Sequence, residues 1–146
     1  MASINKLYPA DWHGRPPQMP ISDWSVWREF LRRRGREWRA YAYDVELHGG
    51  DTPIVGDDSG SQRAWARAIA KRADVAATRA DGWTLIEVRR NARHATLGQI
   101  MVYLRLFPAD YPREKLAGGL IACETIDPDV RRVARDIGVD VWTTTD

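Results

Sequence analysis

The apolar positions of this chain change from a helical to an alternating period and back, and these changes divide it into eight elements. From Ser22 to Gly35 they recur every three or four residues, at Trp24, Trp27, Phe30 and Leu31. Ser22 suits the N-cap of this first helix, and Gly35 suits its end. From Tyr41 to Leu47 every second residue is hydrophobic, which predicts a strand with one apolar face. Residues 49–60 are predicted to form a loop. For residues 62–71 the pattern is ambiguous and is consistent with a short helix or with irregular chain.

Two further strands are predicted to form a β-hairpin around Asp81 and Gly82, which are typical of the central residues of a type I′ turn. This turn fixes a register whose core-facing pairs are Val75 with Val88 and Ala77 with Ile86. On the other face it places Asp74 opposite Arg89, with Glu87 diagonal to Asp74. One register therefore buries the aliphatic residues and gathers two carboxylates and a guanidinium.

The C-terminal half predicts two helices, each followed by a strand. Thr96 suits the N-cap of one helix and Pro108 its end; its predicted apolar stripe is Leu97, Ile100, Met101, Leu104 and Phe107. Asp127 and Pro128 are typical of the start of the other helix, and Gly138 closes it; its predicted stripe is Val130, Val133, Ala134 and Ile137. The strands are predicted at Leu120–Ala122 and Val139–Trp142, which gives the order α, β, β, β, α, β, α, β.

Composition indicates one globular domain, since 44% of the 146 residues are hydrophobic and 29% are charged. Residues 1–21 hold four of the eight prolines without a periodic pattern. We therefore expect an extended N-terminal arm at 1–21 and a single domain at 22–146. Such an arm must pack on its own domain, on a second copy or on another protein.

We expect a cytoplasmic protein of a bacterial or phage-infected cell, with a virion as the alternative location, because the chain shows neither a secretory signal nor an apolar run long enough to span a bilayer. A single cysteine, Cys123, excludes an internal disulfide and fits a reducing compartment.

Positive charge is uneven, although the net charge is only +2. Lysine occurs only at positions 6, 71 and 115, so almost all basic residues are arginine. A GC-rich genome and guanidinium-based phosphate recognition are both consistent with this bias. Residues 28–39 hold six arginines, enough to attract a polyanion such as DNA.

Three short motifs carry the chemistry: K-R-A-D-V at 71–75, T-L-I-E-V-R at 84–89 and L-G-Q-I-M-V-Y at 97–103. They resemble the site of the PD-(D/E)XK nuclease superfamily, and Q-x-x-x-Y resembles its RecB-type branch. The resemblance implies an α/β fold with a mixed central sheet flanked by helices, in the order αβββαβ plus a C-terminal αβ. It implies catalytic roles for Asp74, Glu87, Arg89, Gln99 and Tyr103. It also implies Mg²⁺ or Mn²⁺ held by Asp74, Glu87 and the carbonyl of Val88, since hard divalent cations prefer oxygen ligands.

Arg89 departs from this family, which usually has lysine there. Arginine keeps the positive charge but cannot be deprotonated in a protein. His94 is a candidate for positioning the attacking water, and Glu29 or Glu37 for an outer carboxylate. Two functions follow: a Mg²⁺-dependent DNA phosphodiesterase of weak or altered activity, or an inactive nuclease-fold structural protein, such as a bacteriophage virion or head–tail component.

The inactive reading predicts a homo-oligomer, or binding to assembly proteins, through the N-terminal arm and the tryptophan-rich first helix. Simpler readings of the motifs also exist. Asp74 and Glu87 would then be a strand-face ion cluster, with Gln99 and Tyr103 as ordinary helix-surface residues.

Overall fold

Five strands form one mixed sheet, in which spatial order follows chain order. The computed structural model describes residue 4 and residues 6–48 and 71–146. The strands are β1 (Ala40–Leu47), β2 (Lys71–Arg79), β3 (Gly82–Ala92), β4 (Leu116–Ile126) and β5 (Val139–Thr143). The first three are antiparallel, whereas β4 runs parallel to β3 and β5 parallel to β4.

Helices cover both faces of the sheet. They are α1 (Ile21–Arg34), followed by a 3₁₀ turn (Gly35–Glu37), then α2 (His94–Asp110) and α3 (Pro128–Asp136). One buried cluster packs α1 on the sheet around Trp27 and Phe30, and another packs α2 on it around Phe107. A third joins α2, α3 and β5. The predicted fold class and element order, with a mixed sheet flanked by helices, are confirmed, whereas the predictions for residues 49–60 and 62–70 lie outside the described residues.

The helix boundaries differ from the sequence prediction at three residues. α1 begins one residue before Ser22, with Pro20 at its N-cap. Thr96 lies inside α2, where its hydroxyl accepts a hydrogen bond from the backbone N–H of the N-cap residue, Arg93. Pro108 does not end α2, because a proline in the last turn removes only one helical hydrogen bond.

Two predicted apolar stripes are partly exposed. In α2, Met101 is on the surface and Tyr103 is buried in its place. In α3, Val130 and Ala134 are buried, whereas the predicted Val133 is 44% exposed and Ile137, just after the helix, is 45% exposed. The short α3 therefore packs in its cluster through a narrow stripe. Among the described residues, no helix is long and apolar enough to cross a bilayer.

β1 does not have the single apolar face that its alternation predicts. Tyr41 and Tyr43 pack in the cluster under α1, whereas Val45 and Leu47 pack in the cluster under α2. The change of face occurs at Asp44, which has the positive φ of 55°. A left-handed residue interrupts the regular alternation of a strand, so the side chains after it exchange faces.

The hairpin between β2 and β3 turns one residue earlier than predicted. Arg79 pairs with Gly82, so Ala80 and Asp81 form the loop. A type I′ turn needs positive φ at both central residues, but Asp44 is the one described non-glycine residue with positive φ. The type I′ assignment is therefore wrong. The pairing shifts by two positions, from Val75–Val88 to Val75–Ile86, so each side chain keeps its predicted face.

Part of the N-terminal arm packs on its own domain. Tyr8 and Tyr41 exchange two backbone hydrogen bonds at the outer edge of β1. The rings of Tyr8 and Trp12 also contact Tyr43, at centroid distances of 5.3 and 5.6 Å. The arm thus covers one edge of the sheet over these residues.

Candidate active site

The candidate site forms where β2 and β3 separate. Their ladder ends at Val75–Ile86, one residue before Asp74 and Glu87. Side chains replace the next ladder bonds: Asp74 Oδ2 accepts a hydrogen bond from the Val88 backbone N–H at 2.9 Å. The Asp74 backbone N–H donates to Glu87 Oε1 at 3.3 Å. These bonds satisfy backbone groups that the separating strands would leave unpaired, and they hold the two carboxyl groups next to each other.

Glu87 is the most buried acid of the site, with 1% of its surface exposed. Its Oε2 has no hydrogen-bond partner among the described residues. Burial, followed by the negative charge of Asp74, raises the pKa of Glu87 to about 8. Burial also raises the pKa of Asp74, against the opposing charge of Arg89. Burial therefore favours the protonated form of both carboxyl groups, although a guanidinium lies beside them.

The Arg89 guanidinium lies between the two carboxyl groups. Its Nη1 donates to Asp74 Oδ2 at 2.8 Å and to the Val88 carbonyl at 2.7 Å. Its Nη2 lies 3.2 Å from Glu87 Oε2 and donates to Gln99 Oε1 at 3.0 Å. Burial alone lowers the pKa of Arg89, but the surrounding carboxylates outweigh it and raise the pKa above its ordinary value. The structure thus brings the predicted trio together, although Asp74 and Arg89 are not the cross-strand pair that was expected.

α1 contributes a third acid, Asp23, which the sequence analysis missed. Its Oδ1 accepts a hydrogen bond from the backbone N–H of Arg90 at 2.9 Å, and its Oδ2 lies 3.9 Å from Arg89 Nη1. Glu29 and Glu37, the predicted candidates, instead form ion pairs with arginines of their own segment. The sequence could have pointed to Asp23, because it is an acid at one of the buried positions of α1.

α2 contributes both residues of the Q-x-x-x-Y motif. Gln99 is half-buried and reaches the site through Arg89. Tyr103 is 7% exposed and packs in the cluster under α2, so it is not a surface residue. Burial, followed by the charges of Glu87 and Asp74, raises its pKa to about 12, so the phenol stays protonated at neutral pH. His94 is exposed at the first position of the same helix.

Two acids, Glu29 and Glu37, offset part of the positive charge of the arginine-rich segment. Arg32 and Arg33 both pair with Glu29, and Arg34 pairs with Glu37. These exposed pairs lower the positive charge that the segment offers to a polyanion.

The oxygen donors of the site suit a hard divalent cation. The Asp74 and Glu87 carboxylates and the Val88 carbonyl are ligands of the kind that Mg²⁺ binds. Glu87 Oε2, which accepts no hydrogen bond among the described residues, is an oxygen that such a cation would satisfy. Over the described residues, however, no three histidine, cysteine or acidic residues are arranged to hold a metal ion together. Two carboxylates and a carbonyl therefore make up the donor set, and water or substrate would have to supply the other ligands.

Comparisons with known proteins give one structural similarity. No family model matches the sequence, and no curated protein matches it. The chain is similar in structure to a repair endonuclease from Pyrococcus abyssi, with a TM-score of 0.49 and 14% sequence identity. The match covers 89% of this chain and 49% of the endonuclease chain, so this chain spans about half the length of that protein.

Proposed function

We propose that the protein is a divalent-cation-dependent DNA phosphodiesterase of weak or altered activity. The observation that carries the proposal is the charge of the site. Three acids, Asp23, Asp74 and Glu87, surround the single guanidinium of Arg89, and one oxygen of the most buried acid lacks a donor. Burial raises the pKa of both Asp74 and Glu87, and a bound cation would offset that cost by stabilising their ionised form, so the site favours a cation.

Asp74, Glu87 and the Val88 carbonyl would hold the cation, which supplies Lewis acidity toward a phosphodiester when bound. Arg89, displaced from these oxygens by the cation, would neutralise negative charge on the phosphate. In the cation-free site Gln99 holds the guanidinium through the hydrogen bond from Nη2. Because a guanidinium cannot give up its proton, Arg89 provides no general base. This is the physical reason to expect weak activity.

A plasmid-nicking assay with Mg²⁺ or Mn²⁺ tests the proposal. We expect slow, cation-dependent nicking that Asp74→Asn and Glu87→Gln each reduce by at least about 100-fold, the range over which loss of a key electrostatic group acts. Glu124→Gln is the matched control, since Glu124 is an exposed acid of β4 that pairs with Arg90. Cleavage that survives in both site variants would place the activity elsewhere.

A second candidate, an inactive nuclease-fold assembly protein, is favoured by the hydrogen bonding of Arg89. The guanidinium already satisfies Asp74, the Val88 carbonyl and Gln99 without a cation. This candidate predicts self-association or tight binding to another protein, and no thermal stabilisation by Mg²⁺. Light scattering and thermal unfolding test it: a monomer whose melting temperature rises with Mg²⁺ is incompatible with this function.

A further inference from the structure

We propose that Arg89 is an internal competitor of the cation, so that the guanidinium and a divalent cation exclude each other from the same oxygens. This inference rests on the proposed function, because it concerns access to the same site. It assigns Arg89 a regulatory effect on cation binding, in addition to its charge.

The guanidinium contacts all three groups of the donor set. Nη1 donates to Asp74 and to the carbonyl of Val88, and Nη2 lies 3.2 Å from the Oε2 of Glu87. A Mg²⁺ ion binds oxygen at about 2.0–2.1 Å. An ion bound to Asp74 Oδ2 would meet a guanidinium nitrogen that lies 2.8 Å from the same atom. Steric overlap and repulsion between like charges therefore prevent both from occupying the site.

Gln99 holds the guanidinium in this position. Its Oε1 accepts a hydrogen bond from Nη2 at 3.0 Å, whereas Asp74 is bound by the other terminal nitrogen, Nη1. The Arg89 side chain is 29% exposed, whereas that of Glu87 is 1% exposed. The guanidinium can therefore leave toward solvent, while the Glu87 carboxylate stays buried. Loss of the Gln99 hydrogen bond should make that exit easier.

Direct measurement of Mn²⁺ binding, by paramagnetic resonance or calorimetry, tests this competition. Arg89→Met removes the competitor, and we expect it to tighten Mn²⁺ binding at least tenfold, or about 1.4 kcal/mol. Arg90→Met is the matched control, since it removes the same charge from the neighbouring residue, whose side chain is 59% exposed and pairs with Glu124. The Mn²⁺ affinity of Arg90→Met should stay within about twofold of the wild type, because exposed charges are well screened.

Gln99→Met keeps the proposal testable if Arg89→Met fails to fold. It leaves every charge in place and removes only the acceptor that holds the guanidinium. We expect Mn²⁺ to bind a few-fold more tightly, in line with the loss of about one hydrogen bond. If Arg89→Met does not fold, unchanged Mn²⁺ binding by Gln99→Met overturns the competition.

The outcomes separate this inference from the proposed function. Equal Mn²⁺ binding by the wild type and Arg89→Met overturns the competition and leaves the phosphodiesterase proposal intact. Binding by Arg89→Met alone supports the competition and counts against cation-dependent activity of the wild type. Absence of binding in both proteins overturns both.

Discussion

Glu87 and Asp23 show how burial gives ordinary acids an unusual chemistry. Both carboxyl groups lie almost entirely inside the protein, at 1% and 8% exposure. Asp23 uses its position to accept a backbone hydrogen bond from Arg90, whereas Glu87 has one oxygen without a donor. Asp23 therefore connects α1 to β3, and Glu87 makes the site sensitive to protons and cations.

Glu87→Gln should change the pH dependence of stability. The pKa of Glu87 rises from 4.5 to about 8 on folding. Between these values the folded protein keeps a proton that the unfolded chain releases, so the free energy of unfolding falls as pH rises and levels off above pH 8. Glu87→Gln removes this loss, and we expect its free energy of unfolding near pH 8 to exceed that of the wild type by on the order of a few kcal/mol. Urea unfolding between pH 5 and 9 measures it.

Glu124→Gln serves as the control for this titration, because Glu124 is an exposed acid on the next strand. Its free energy of unfolding should change with pH as that of the wild type does, from pH 5 to 9. A wild-type slope in Glu87→Gln as well would show that Glu87 titrates normally.

Asp23→Ala should destabilise the fold more than Asp23→Asn. Alanine leaves the backbone N–H of Arg90 without the acceptor of a part-buried hydrogen bond at 2.9 Å, at a cost of about 1 kcal/mol. Asparagine keeps an oxygen for that N–H. Chemical denaturation of the two variants compares the costs, and equal stability would mean that the hydrogen bond contributes little.

At the scale of elements, the β2–β3 hairpin decides which residues meet. Gly82 has φ 122°, and a Cβ there would lie 2.5 Å from the carbonyl oxygen of Lys115 at the start of β4. Trp83 donates its backbone N–H to the same carbonyl. A glycine is therefore needed at position 82 because the Lys115 backbone lies close to it. The turn itself is formed by Ala80 and Asp81.

Gly82→Ala should be strongly destabilising, because it combines an unfavourable φ with a clash against backbone. We expect a loss of about 3 kcal/mol or more, made up of strain and steric overlap. Gly118→Ala is the control, since a Cβ at Gly118 meets nothing within 4 Å and its φ is ordinary. It should change stability by less than about 1 kcal/mol. Thermal and urea unfolding of the pair test this, and equal losses would contradict it.

At the scale of the molecule, the N-terminal arm and the tryptophans contribute to the domain itself. Trp27 and Trp38 are buried in the cluster under α1, and Trp12 contacts Tyr8 and Tyr43. Assembly through these residues stays a prediction, and light scattering decides it. The contacts of Trp12, Trp27 and Trp38 within the domain therefore give these three tryptophans a structural role.

Trp12→Ala should release the arm from β1. The ring is partly buried against Tyr8, at 4.4 Å between centroids, so we expect a loss of about 1–3 kcal/mol, less than for a fully buried tryptophan. Cleavage by a protease within residues 6–20 should become faster. His13→Ala is the control, since His13 is the next residue and its side chain is exposed. Equal cleavage rates in the two variants would show that Trp12 does not hold the arm.

The sequence predicted those parts of the fold that depend on neighbours along the chain. The order of helices and strands follows from local periodicity, and the apolar face of the hairpin survives an error in the turn because a shift of two positions preserves side-chain direction. The reversal at Asp44 was not predictable, since nothing in an alternating pattern marks one aspartate as left-handed. Asp23 was missed because its partner, Arg90, is distant in the chain.

By itself, then, the sequence determined the α/β class, the element order and the grouping of Asp74, Glu87 and Arg89 on one hairpin, because strand periodicity and register are local properties. Only the tertiary structure decided that β2 and β3 separate at this point and that α1 and α2 bring Asp23 and Gln99 to the gap. It also decided that the guanidinium lies among the oxygens that a cation would use. These features depend on burial and on contacts between distant segments, which set the charge balance of the site.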